Sequence, residues 1–184
     1  MRVRLLIVVL SSWVALSAAM WAVAAGNFRT VERVLAPGYR AELVTALAPR
    51  SLEAERPVLR WLASELNRRF FRGWAGGQLA LVVVLAVLLV GGGGGARGVP
   101  RTAKLLAGSG AAAALVLALV LTPAIRRLGP PLDFVPRPFP AEWREASRHF
   151  MRIHGAYMAL DLLKVGLIAG ALVVLLRRGD DPSR

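Results

Sequence analysis

The sequence contains no cysteine, which excludes disulfide bonds, thiolate metal sites, lipoprotein cysteine anchors and cysteine nucleophiles. Histidine is scarce too, with only His149 and His154, and acidic residues number 11 against 24 basic ones. The chain also lacks a nucleophile elbow and a zinc-protease motif. We therefore expect no catalytic residues, no metal site and no cofactor, and the protein is not predicted to be an enzyme.

Apolar residues, in contrast, are abundant. Of the 184 residues, 56% are hydrophobic and only 19% are charged, which is too apolar for an ordinary soluble domain. The net charge of +13 would suggest nucleic acid in a soluble protein, but the basic residues lie in short groups beside apolar stretches. We expect the bilayer and its anionic headgroups as partners, at about 1 kcal/mol per well-placed Lys or Arg, and no nucleic acid.

Four segments are long enough to cross the bilayer, which takes roughly 20 helical residues. They are residues 5–25, 73–96, 105–125 and 153–176, and the first three contain no charge. The sequence thus predicts an all-α fold, a four-transmembrane-helix bundle forming a single domain over residues 1–184. A cleaved signal peptide is the alternative for the first segment, but its apolar stretch exceeds the usual roughly 7–15 residues.

The connections between these segments differ in length. The glycine run at 91–95 makes a tight turn between the second and third, and no Lys-Ser or Lys-Thr pair follows it as a phosphate-binding loop requires. Residues 26–72 and 126–152 form long connections on the opposite side. We expect short interfacial helices there, one opened by Pro57 with an apolar face and one that begins near Glu142 and continues into the fourth segment.

The distribution of basic residues bears on orientation. The short connection and both termini have the higher density of Lys and Arg, whereas the long connections have the larger total. Because the insertion rule weighs charges in short loops near span ends, both termini are predicted to be cytoplasmic.

Ionisable residues interrupt only the fourth segment. Asp161 and Lys164 lie three residues apart near its middle, where each alone would cost roughly 2.5–3.5 kcal/mol, so we expect them to pair. With His154 and Met158 they form one stripe. This intramembrane polar stripe is predicted either to line a path for a proton, cation or small solute, or to hold helices together. The second alternative is favoured because the other three segments contain no acidic residue, histidine or asparagine.

The segment that opens the fourth span also carries a resemblance. Residues 150–163, with Phe150, Arg152, His154 and Gly155, resemble the F-x-R-x-H-G-x-S-x-x-L-N-L-L pattern of a bacterial membrane family catalogued as domain of unknown function 4149, relatives of the transmembrane-protein-205-like group. Asp161 stands where that family often has asparagine. The resemblance implies a four-helix bundle in a bacterial inner membrane, with His154 and Gly155 at a helix contact.

Two further segments are similar to the same family. Pro123 and Arg126 resemble its proline and arginine at the end of the third span, and residues 67–71 resemble its basic-aromatic entry to the second. The usual Gly-Gly after the tryptophan of the first span is replaced after Trp13 by Val14 and Ala15.

Three functions follow as hypotheses. The first is an accessory or structural helix bundle that contacts a membrane partner protein or a second copy of itself. The second is small-solute, proton or cation passage along the fourth span. A more distant likeness to copper-resistance membrane domains suggests metal handling as a third, but the two histidines lie about 140° apart around a helix and only four methionines are present.

Overall fold

The computed structural model describes residues 2–34, 36, 52–90, 99–135 and 138–179, and the regular structure in these residues is entirely helical. The predicted glycine turn at 91–95 lies outside the described residues. The α-helices are α1 (Arg2–Val34), α2 (Leu52–Val90), α3 (Arg101–Val116), α4 (Thr122–Leu128) and α5 (Arg144–Gly179). A π-helical segment, Leu117–Leu121, joins α3 to α4, and short 3₁₀ turns occupy Pro130–Leu132 and Ala141–Trp143.

Four helical stretches in the described part of the chain are long and apolar enough to cross a membrane. They are Arg2–Arg33, Arg56–Val90, Arg101–Leu132 and Ala141–Arg178. Only 17% to 39% of the most apolar part of each is buried inside the protein, so most of that apolar surface faces outward. An outward-facing apolar belt on every helix is typical of a protein surrounded by lipid. For the residues that the structure describes, the prediction of an all-helical fold with four such helices is confirmed.

The helices extend into the predicted long connections. The helix expected to begin at Pro57 is the first part of α2, which continues without a break into the apolar stretch. α2 begins at Leu52, so Pro57 lies inside this helix, and the expectation that Pro57 opens it is wrong. The residues that follow Pro57 include good helix formers such as Leu62 and Glu65. The helix expected near Glu142 likewise begins as a 3₁₀ turn and runs on as α5, as predicted.

Pro123 follows directly on the π-helical segment Leu117–Leu121. Proline has no N–H, and its ring collides with the carbonyl group four residues earlier, so a regular α-helix cannot pass through this position unchanged. The extra residue in a π-turn widens the helix and accommodates the ring. The third helical stretch therefore changes geometry beside the polar residues described below.

The bundle is held together by close contacts between neighbouring helices. α1 packs against α2 and α5, and α3 packs against the same two helices. On α3 a row of small buried residues faces α5, namely Ala103, Ala107, Gly110 and Ala114. A Cβ atom on Gly110 would lie 2.7 Å from Cδ1 of Ile168, so glycine allows the two helices to approach this closely.

Candidate functional site

Asp161 and Lys164 form an ion pair inside the bundle. Lys164 Nζ donates to Asp161 Oδ1 at 2.6 Å, and the side chains are 0% and 4% exposed. Their spacing of three residues places both on one face of α5, midway between Arg152 and Arg177. The predicted pairing of these two residues is thus present in the structure.

Partners from two other helices complete the coordination of this pair. Lys164 Nζ also donates to Gln78 Oε1 of α2 at 2.9 Å, and it lies 5.6 Å from the centroid of the Trp74 ring. Trp21 of α1 donates its Nε1–H to Asp161 Oδ2 at 2.5 Å. We call Trp21, Trp74, Gln78, Asp161 and Lys164 the polar layer. It links α1, α2 and α5 at one level of the bundle.

The polar layer is closed to further ligands. Both oxygens of the Asp161 carboxylate accept a hydrogen bond, and the Lys164 ammonium contacts two oxygens and an aromatic face. Two shallow surface pockets lie beside the first turns of α5, and neither is lined by Asp161 or Lys164. A buried pair with all its partners in place fixes how helices meet, because any other packing leaves a charge unsatisfied.

The rest of the predicted stripe is divided between the inside and the outside of the bundle. Met158 is 58% exposed, and His154 is half-buried and stacks on Phe150 with ring centroids 5.8 Å apart. The buried face of α5 is centred between Asp161 and Lys164, and Met158 lies about 90° from that centre around the helix. The two charged residues therefore share a site, whereas Met158 does not contribute to it.

The contacts expected from the family resemblance are formed by other residues. Gly155 is exposed, and a Cβ atom there would meet nothing within 4 Å, so it does not lie at a helix contact within the described chain. Arg126 is exposed without a hydrogen bond or ion pair to any described residue, and Pro123 is half-buried. The nearby contact is instead made by Tyr157, which is buried and whose ring meets Phe71 edge to face.

Sequence reasoning missed the partners of the ion pair. Gln78 is the one amide side chain in the second apolar stretch, and that isolated polar group was the available signal. Nothing in the sequence pairs Trp21 with Asp161. On the same helix Trp13 Nε1 and Ser17 Oγ are buried without a hydrogen-bond partner among the described residues.

A second polar cluster lies at the end of the bundle where α2 begins. Arg68 donates to Asp133 at 2.8 Å and to Glu65 at 3.0 Å, and its side chain is only 15% exposed. Asn27 of α1 donates to Asn67 of α2 at 2.6 Å. Arg68 ties the segment after α4 to α2, so this cluster stabilises the end of the bundle.

Arg68→Gln is expected to lower stability by about 1–3 kcal/mol, because it leaves the mostly buried Asp133 carboxylate without its cation. Arg69→Gln is the matched control. Its side chain is 76% exposed and pairs only with Glu65, so we expect a loss of about 0–1 kcal/mol. Thermal unfolding of the purified protein in detergent measures both. Equal effects of the two variants would contradict the structural role of the Arg68–Asp133 pair.

Within the described residues, no group of three or more His, Cys, Asp or Glu side chains is arranged to hold a metal ion. No family model, no curated protein and no solved structure matches this chain.

Proposed function

We propose that this chain is a multi-pass membrane protein that serves as an accessory or structural helix bundle. The observation that carries the proposal is the closed polar layer, in which Asp161 and Lys164 are buried and bonded to Trp21 and Gln78 of two other helices. Such a layer defines helix register, and both carboxylate oxygens of Asp161 and the ammonium group of Lys164 have partners within the protein. A rigid bundle offers its outer surface to a partner, which we take to be another membrane protein or a second copy of the chain.

The proposed setting is a bacterial inner membrane with both termini in the cytoplasm. The outward-facing apolar surface of the four helices supports insertion. The basic density of the short connection and of the termini supports the orientation. Relationship to the family catalogued as domain of unknown function 4149 is part of the same proposal, and it rests on the segment that contains His154 and Gly155.

Proton or cation passage is the second candidate, and one observation favours it. Trp13 Nε1 and Ser17 Oγ are buried, without a hydrogen-bond partner among the described residues, on the α1 face that also presents Trp21. Since α1 and α5 run in opposite directions, Ser17 lies near the level of Lys164 and Trp13 one turn further along the bundle. Hydration of these two groups would extend the polar layer toward the short-connection side.

Flux measurements separate the two candidates. Purified protein is reconstituted into liposomes that enclose a pH-sensitive dye, and a proton or potassium gradient is applied. For a structural bundle we expect the wild-type flux to equal that of protein-free liposomes, and Asp161→Asn to leave it unchanged. A wild-type flux that Asp161→Asn abolishes would contradict the structural role and establish passage.

A crosslinking experiment addresses the accessory role directly. A photoreactive residue is placed at outward-facing positions of α2 and α5, such as Val87 and Val173, in cells that carry the full chain. A structural bundle is expected to give a reproducible adduct with one partner protein or a second copy, from one helix face only. Adducts with lipid alone from both faces would contradict the accessory role.

A further inference from the structure

Three arginines lie on the outer surface of α5 before its apolar stretch. Arg144, Arg148 and Arg152 recur every four residues, so they lie on one side of the helix, and all three are exposed. None of them has an ion pair or hydrogen bond to a described residue, in contrast to Arg60 and Arg68, which both pair with carboxylates. We call these three residues the arginine ladder. Its cationic groups are available to an external anion.

Two surface pockets flank the ladder and share Arg148. One, of about 380 Å³, is lined by Glu145, Ala146, Arg148, His149 and Arg152. The other, of about 350 Å³, is lined by Pro138, Phe139, Arg144, Ser147 and Arg148. Each has room for a compact anionic group beside Arg148. Glu145 would repel an anion, so the favoured position in the first pocket is next to Arg148 and Arg152.

Beyond Arg152, the same side of α5 is an exposed apolar strip. Its residues are exposed and mostly small or aliphatic, namely Gly155, Ala159, Leu162, Leu163 and Gly166. A Cβ atom on Gly155 or on Gly166 would meet nothing within 4 Å, so the backbone there is open to the outside. A hydrocarbon chain can lie against such a surface between the leucine side chains.

We propose that this side of α5 is a binding site for an anionic phospholipid. The phosphate lies between Arg148 and Arg152, whose guanidinium groups can each donate two hydrogen bonds to it. One acyl chain follows the strip from Gly155 to Gly166. The order of groups along the helix, cationic at the end and apolar further in, matches the order of groups in a phospholipid and does not match an acidic peptide or a free phosphate. This proposal is independent of the structural role of the polar layer.

Native mass spectrometry of the purified full chain in an uncharged detergent tests the site. The probes are phosphatidylglycerol and phosphatidylcholine with identical acyl chains. We expect preferential retention of phosphatidylglycerol, and an affinity about tenfold lower for Arg148→Gln/Arg152→Gln. The matched control is Arg177→Gln/Arg178→Gln, which removes the same charge from the other end of α5 and is expected to stay within about twofold of wild type.

The acyl strip has its own test. Gly166→Leu fills the open part of the strip, so we expect weaker binding of phosphatidylglycerol with an unchanged melting temperature. Soluble glycerophosphate, which has no acyl chain, is expected not to compete. If the ladder variant and the control variant lost the same affinity for phosphatidylglycerol, the effect would be due to net charge alone, and the proposal would be overturned. Competition by glycerophosphate, or tighter binding of an acidic peptide than of phosphatidylglycerol, would also overturn it.

Discussion

Lys164→Met is expected to destabilise the protein by about 3–5 kcal/mol, because it leaves the Asp161 carboxylate buried without its cation. The Trp21 hydrogen bond would remain, but a neutral donor does not replace a paired ammonium group. The measurement is thermal unfolding in detergent, monitored by intrinsic tryptophan fluorescence and by size-exclusion chromatography after heating. Arg178→Met, which removes an exposed positive charge from the same helix, is the matched control and is expected to lie within about 0.5 kcal/mol of wild type.

The double variant Asp161→Leu/Lys164→Met separates pairing from packing. Removing both charges avoids an isolated buried ion, so it is expected to cost less than either single change. Gln78 and Trp21 would each lose one partner, which leaves a residual loss of about 1–3 kcal/mol. Single variants as stable as wild type would show that the pair contributes nothing to the bundle, and the structural role of the polar layer would have to be abandoned.

Gly110→Leu is expected to have the second large effect on stability. The Cβ atom alone would lie 2.7 Å from Cδ1 and 2.9 Å from Cγ1 of Ile168, and a full leucine side chain would push α3 away from α5. Overpacking of this kind typically costs about 1–3 kcal/mol. The thermal unfolding assay described for Lys164 measures it.

Gly108→Leu is the matched control for this substitution. It lies on the same helix, and a Cβ atom there would meet nothing within 4 Å. Both changes raise helix propensity by the same amount, so the difference in stability between the two variants measures the cost of packing a leucine against α5. A Gly110→Leu protein as stable as the Gly108→Leu protein would contradict the close approach of α3 and α5.

The buried pair could be predicted from the sequence, but its coordination could not. Asp161 and Lys164 share a helix, so their spacing alone indicates a contact. Trp21 and Gln78 belong to other helices, and their approach depends on how those helices are rotated and shifted against α5. Sequence periodicity does not specify that rotation, since a helix surrounded by lipid is apolar on its outer face as well as on its inner face.

The stripe on α5 illustrates the same limit. Periodicity placed His154, Met158 and Asp161 near one another around the helix, within about 60°. Which part of that arc faces inward was decided by the neighbouring helices, and they cover Asp161 and leave Met158 exposed. The surface of α5 around Met158 is apolar on the inward and on the outward side, so the sequence did not show where the buried face ends.

The sequence by itself determined that the described part of the chain is all-helical with four long apolar helices, because length and hydrophobicity are properties of each segment alone. Only the tertiary structure decided that Lys164 meets Gln78, that Asp161 meets Trp21, and that Gly110 rather than Gly155 lies at a close helix contact. Those contacts depend on the relative rotation and register of helices, which side-chain packing between them sets.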